Sequence, residues 1–116
     1  MVTNLTSEAF STRIADLNAR EWKYLGDKPA VIDFFATWCG PCKAMGPVLE
    51  ELSDEIAGVD FYKLDVDREN GVAAAFGIRS VPTFVFIPKE GMPQMDAGMM
   101  SKAEFAKLIQ QTLHVE

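Results

Sequence analysis

The two cysteines of this chain, Cys39 and Cys42, stand where an apolar run gives way to a segment of helical period. The run, "AVIDFFA" from Ala30 to Ala36, is interrupted only by Asp33. A strand apolar on both faces reads as a buried parallel strand in a sheet covered by helices. Beyond the cysteines, Cys42, Met45, Leu49, Leu52 and Ile56 recur at helical spacing, and Pro47 within them predicts a kink. A strand running directly into a long helix constrains the chain to the α/β class. The remaining segments agree. Thr6 can cap a first helix with Phe10, Ile14 and Leu17 on its apolar face. "VDFYKLDVD" is a further strand candidate, and "RENGVAAAFGI" a short helix stopped by Gly77. "PTFVFI" reads as a strand that turns through Pro88-Lys89-Glu90-Gly91 into a weak hairpin partner, "MPQMDAGM". Ser101 and Glu104 form a capping box for a last helix carrying Phe105, Leu108, Ile109 and Leu113 inward. Without repeats or linkers, residues 1–116 read as one domain. Its sheet should be mixed, parallel early and antiparallel late, with helices on both sides.

Charge narrows the function. The formal charge of −6 supplies no basic stripe for phosphates, so nucleic acid is an unsuitable partner. No apolar run approaches the roughly 20 residues of a membrane span. The start, "MVTNLTSEAF", lacks a basic segment followed by a hydrophobic core, so a signal peptide is not expected. Asn4-Leu5-Thr6 fits a glycosylation sequon, which means little without a secretory route. Cytoplasm is the expected compartment, where a catalytic thiol pair is more usual than a structural bridge; a periplasmic protein stripped of its leader would read the same way.

Why should two thiols sit three residues apart? As a structural crosslink the pair is poor, because the loop it closes is tiny. Structural zinc needs four ligands, and His114 is the single histidine available to add to the two thiols. Two ordinary buried thiols remain an alternative. Against it, Cys39 lies at a helix N-terminus, where unpaired N–H groups and the helix dipole favour thiolate over thiol. Pro41 suits the first turn, where its missing N–H has no helical partner anyway. Cys42 follows one turn later on the same face, and Lys43 adds positive potential. Cys39 is therefore expected to be the exposed attacking thiol, and Cys42 the sheltered one that resolves a mixed disulfide.

The stretches "VIDFFATWCGPCK", "KLDVD", "GIRSVPTFVFIPKEG" and the glycine of "DAGMMS" stand in an order and spacing that resemble the thioredoxin family. The resemblance runs over nearly the whole chain. It implies a central five-stranded mixed sheet with helices on both faces, and thiol–disulfide exchange as the activity. It also implies protein clients that carry disulfides, an NADPH-dependent flavoenzyme reductase, a monomeric state and no bound cofactor or metal beyond the Cys39–Cys42 pair. Asp33, a carboxylate in an apolar strand, is costly to bury and so is expected to serve function. Its pKa should rise, letting it exchange a proton with Cys42. By the same resemblance Lys63 moderates Asp33, and Val81–Pro82 is cis and leaves the Val81 backbone free to pair with an extended client segment. Trp38, Gly40, Pro41, Val66, Val81, Pro82, Ala97 and Gly98 would form the apolar rim around Cys39.

The chain departs from the family's pattern at a few positions. Phe35 stands where many thioredoxins carry a second tryptophan, and Ser80 where a glycine is common. Met92, Met95, Met99 and Met100 are expected to fill core, with a wider binding rim as the other reading. Trp22 and Tyr24 should cover the connection from the first helix to the strand. Two other functions compete with a reductase: an oxidase or isomerase of the same fold, and a non-catalytic binding module that uses the rim.

Overall fold

In the computed structural model, which describes residues 1–115, the apolar run becomes the middle of a sheet. The elements in chain order are β1 (Val2–Asn4), α1 (Ser7–Arg13), β2 (Ala30–Phe35), α2 (Gly40–Glu55), β3 (Asp60–Asp65), α3 (Asn70–Ala75), β4 (Thr83–Ile87), β5 (Gln94–Ala97) and α4 (Lys102–Leu113). The strands lie in the order β1-β3-β2-β4-β5. The β1–β3 and β3–β2 pairs are parallel, whereas β2–β4 and β4–β5 are antiparallel. Parallel pairing early and antiparallel pairing late is the expected order. The crossovers through α1 and α2 return the chain parallel, the connection through α3 brings β4 back in the opposite direction, and the short Pro88–Gly91 turn can only return β5 antiparallel.

Strand alternation divides the core. Ile32 and Phe34 of β2 pack on one face with Leu5, Phe10, Ile14, Leu64, Val72, Val85 and Ile87, beneath α1 and α3. Val31 points to the other face, where Phe61, Phe84 and Phe86 meet Met45, Leu49, Leu52, Phe105, Ile109 and Leu113 from α2 and α4. Phe105 packs edge-on against Phe84 with ring centres 4.8 Å apart and tilted against Phe86 at 5.4 Å. Such pairs add about 0.5–1.5 kcal/mol each beyond the area they bury.

Capping sets several boundaries. The Thr6 side chain accepts from the Ala9 amide, and Ser101 and Glu104 form the reciprocal box at α4. Gly77, at φ +68°, follows α3 in a conformation that side chains resist. The 16-residue α2 continues through Pro47. The proline costs the Lys43 carbonyl its helical donor, and both residues are exposed.

Two expectations fail here. The first helix ends at Arg13, so Leu17 lies beyond it and is exposed, while Ala15 is buried. The methionines do not fill core: Met92, Met95 and Met99 are exposed, and Met100 alone packs against the α2/α4 cluster. Their segment is the outer edge of the sheet, where no further layer covers it. β1 completes the five strands that the resemblance implies, and at three residues it carries too little periodicity to be legible in the sequence.

Phe105 joins both partners of the α4 face, so Phe105→Ala should cost about 3–5 kcal/mol. Urea denaturation followed by circular dichroism measures it. A loss below 1 kcal/mol would mean that the α4 face closes around the cavity.

Candidate functional site

Residues Ala36 to Cys39 carry the chain from the end of β2 onto the first turn of α2. Cys39 is the N-cap of α2 in extended conformation (φ −89°, ψ 111°), and Pro41 lies in the first turn. The Cys42 amide donates to Cys39 Sγ at 3.1 Å. Cys39 thus fills, with sulfur, the acceptor position that serine or aspartate fills at most helix starts. The dipole of α2 points its positive end at the same atom. Cys39 and Cys42 are joined by a disulfide, with Cα atoms 5.3 Å apart. Spacing and helix start bring the sulfurs together as expected.

Exposure differs from expectation. Cys39 is 4% exposed and Cys42 6%, so accessible area does not separate an attacker from a sheltered partner in this disulfide state. Both pack with Ala36 beneath Phe35, Val66 and Val81. The asymmetry lies in polar contacts: Cys39 Sγ receives the Cys42 amide and sits 3.7 Å from the Val81 carbonyl oxygen.

The rim residues gather from separate loops. Trp38 stands 70% exposed beside the disulfide, and its indole N–H donates to Asp67 Oδ2 at 2.9 Å. Asp67 is itself placed by a turn in which its amide donates to Asp65 Oδ1 at 2.9 Å. Asp67 has no local signal in the sequence, because an acid just past a strand reads as solvated and nothing nearby reveals an indole arriving from residue 38. Gly40, Pro41 and Ala97 are exposed; Val66, Val81 and Gly98 are partly so. The Val81–Pro82 peptide is cis. Pro82 is buried, so it forms the floor of the rim rather than its surface, and its carbonyl accepts from the Gly98 amide at 2.9 Å. That bond ties the Val81 loop to the end of β5.

Asp33 lies opposite Lys63 in the β2–β3 register and opposite Phe84 in β4. It is 4% exposed, and its Oδ1 has no hydrogen-bond partner in the protein. Burial pushes its pKa up to about 7, against a smaller lowering by the Lys63 charge. Asp33, Cys42, Lys43 and Lys63 line one cleft of about 290 Å³, with Phe35, Ala36 and Thr37 completing its wall. Lys63 is exposed at its mouth, with Nζ 6.0 Å from the centre of the Phe35 ring. Among the described residues no ion pair joins Lys63 to Asp33, so its influence acts across the cleft. Phe35, where the family often has tryptophan, keeps an aromatic wall there.

The Thioredoxin family model matches residues 1–111. The chain belongs to the thioredoxin family. It is 42% identical over 111 residues to the thioredoxin of Borreliella burgdorferi, covering 94% of this chain and 95% of that one. With the thioredoxin of Haemophilus influenzae it shares 42% identity over 86 residues, 73% of this chain and 80% of the relative. The crystal structure of chloroplastic thioredoxin z superposes with a TM-score of 0.80 at 30% identity, covering 96% and 93% of the two chains. The expected thioredoxin fold and activity both hold: this is a dithiol–disulfide oxidoreductase, acting on disulfide-containing substrates and re-reduced by a reductase.

Asp33 links the site to stability. Between pH 3.8 and about 7 the folded protein keeps a proton on Asp33 that the unfolded chain has released. Stability therefore falls as pH rises through that window, and the full penalty stands above it. Asp33→Asn should raise the unfolding free energy of the oxidised protein at pH 8 by up to roughly 4 kcal/mol, with little gain near pH 4. Urea melts across that range test it; a difference independent of pH would show that Asp33 is not buried as a charge.

Proposed function

We propose that the protein is a thioredoxin-type reductase of protein disulfides, with Cys39 as nucleophile and Cys42 as resolving thiol. In the reduced protein the Cys39 thiolate attacks one sulfur of a client disulfide. A Cys39–client disulfide forms, and the other client sulfur leaves as thiolate. Asp33 carboxylate then takes the Cys42 proton, and Cys42 sulfur attacks Cys39. The first client sulfur leaves, and the Cys39–Cys42 disulfide closes. Two electrons have passed to the client, and the proton rests on Asp33 or passes to solvent through the cleft it shares with Lys43 and Lys63. With its pKa near 7, Asp33 is populated in both forms at neutral pH, as a proton carrier must be.

The observation that carries this reading is the polar asymmetry at the start of α2. Cys39 Sγ accepts the Cys42 amide, and among the described residues Cys42 Sγ accepts none, so negative charge is stabilised on Cys39 rather than Cys42. The nearby Val81 carbonyl and exposed Trp38 give a client chain a backbone acceptor and an apolar wall. Such contacts favour extended segments of little fixed sequence.

Electrons would come from an NADPH-dependent flavoenzyme, for the chain has no glycine-rich phosphate loop of its own. Cytoplasm is the proposed compartment, since both cysteines are committed to the redox pair and none to a structural crosslink.

Cys42→Ser should accumulate disulfide-linked client adducts at Cys39 in a cell extract, visible as thiol-sensitive high-mass bands, whereas Cys39→Ser should not. Adducts formed by the Cys39 variant alone would reverse the two roles.

A further inference from the structure

One buried strand residue beside the site is polar where packing alone would choose an apolar one. All five residues of β4, Thr83 to Ile87, are buried. Thr83 is 6% exposed and is paired with Phe34 of β2 on one side and Ala97 of β5 on the other. Valine has the same branched shape, suits a buried strand and has no hydroxyl to desolvate. The Thr83 hydroxyl does have a partner: it donates to the Ser80 carbonyl at 2.8 Å.

That bond spans the loop that faces Cys39. Three successive carbonyls lie in this loop, and each is placed differently. The Ser80 oxygen accepts from Thr83, the Val81 oxygen stands 3.7 Å from Cys39 Sγ, and the Pro82 oxygen accepts from the Gly98 amide at 2.9 Å. Val81 is partly exposed, and among the described residues its amide has no acceptor. The Ser80 carbonyl and the Val81 amide belong to one planar, trans peptide unit. In such a unit the C=O and N–H point in opposite directions. Drawing the oxygen in toward Thr83, on a strand paired along both edges, therefore turns the Val81 N–H to the outer side of the loop.

We infer that Thr83 is a positioning residue for client binding, its hydroxyl orienting the Ser80–Val81 peptide so that the Val81 amide is presented to an extended client segment. The role rests on the reductase reading proposed above, in which the Val81 backbone pairs with the client. Thr83 touches neither client nor Cys39; it acts through Val81. Without the hydroxyl the Ser80 carbonyl loses its donor, and the peptide can rotate to bring that oxygen to water, carrying the amide away from the client. A carbonyl that accepts a hydrogen bond also polarises its peptide, which makes the Val81 N–H a stronger donor.

The test is a single turnover. Fully reduced protein is mixed with insulin at increasing concentration, and the fraction converted to the Cys39–Cys42 disulfide is read after acid quench and alkylation with a mass tag. Thr83→Val should raise the insulin concentration at half-maximal rate about five- to tenfold, the scale of one net hydrogen bond, and change the limiting rate less than about twofold. Its reaction with 5,5′-dithiobis(2-nitrobenzoate), a disulfide without a peptide backbone, should match wild type. Thr83→Ser keeps the hydroxyl and should restore wild-type half-saturation. Thr112→Val is the matched control. Thr112 is also buried and its hydroxyl donates to the Leu108 carbonyl at 2.7 Å, but it lies in α4, outside the rim, so half-saturation should not move. A reading that needs no Thr83 variant is hydrogen exchange at Val81 in the Cys42→Ser protein: fast when the protein is free, and slowed once a cysteine peptide is linked to Cys39. Wild-type half-saturation in Thr83→Val overturns the positioning role while leaving the reductase reading intact. So does a rise shared by Thr83→Ser or Thr112→Val, an equal loss with the aromatic disulfide, or a Val81 amide that the linked peptide does not protect. A wild-type chain that fails to reduce insulin overturns the reductase reading, and this role with it.

Discussion

One hydrogen bond organises the molecule: the amide of Cys42 reaching back to the sulfur of Cys39. It exists because a helix begins immediately after a buried strand, leaving first-turn donors unpaired and aimed at the residue that caps them. Ordinary caps offer oxygen; here the acceptor is a sulfur that can hold charge and exchange bonds. Everything else fixes that junction in place. The central position of β2, with partners on both edges and helices on both faces, holds the strand end still. Pro41 stiffens the first turn, and Pro82, tied to Gly98, sets the Val81 carbonyl against the same sulfur.

Asp33 is the opposing element. It weakens the fold, because burial holds a carboxyl group in apolar surroundings with one oxygen unpaired. Its compensation is chemical: a group with pKa raised to about 7 can give or take a proton at neutral pH. Lys63 sits at the open end of the same cleft and trims that rise without abolishing it. Had a close ion pair formed, the carboxylate would stay ionised and lose its use as a carrier. The site thus needs distance between these charges as much as it needs both of them.

Whatever is encoded locally is legible in the sequence. β2, α2, β3, α3, the β4–β5 hairpin and the capping box of α4 each carry their own signal in period, turn or cap, and each appears. The two cysteines and the buried acid could be found for the same reason. Features that depend on distant partners were less accessible. β1 is held by pairing with β3, which three residues cannot advertise. Leu17 keeps the helical spacing of Phe10 and Ile14, yet α1 stops before it. The exposed methionines look like core until the sheet edge is located. Asp67 acquires its role only when Trp38 folds over it. The expected difference in sulfur exposure failed too, since a closed disulfide packs both atoms under the same loop residues. Family resemblance supplied what local pattern could not: the fifth strand, the cis peptide and the partner of Asp33.

Selective alkylation tests the central claim most directly. The fully reduced protein is exposed briefly to substoichiometric iodoacetamide at neutral pH, and the labelled cysteine is identified by peptide mass spectrometry. If a helix amide and the dipole of α2 stabilise charge on Cys39, the label falls on Cys39 while Cys42 stays free. Equal labelling, or faster reaction at Cys42, would show that the start of α2 does not activate the sulfur it caps.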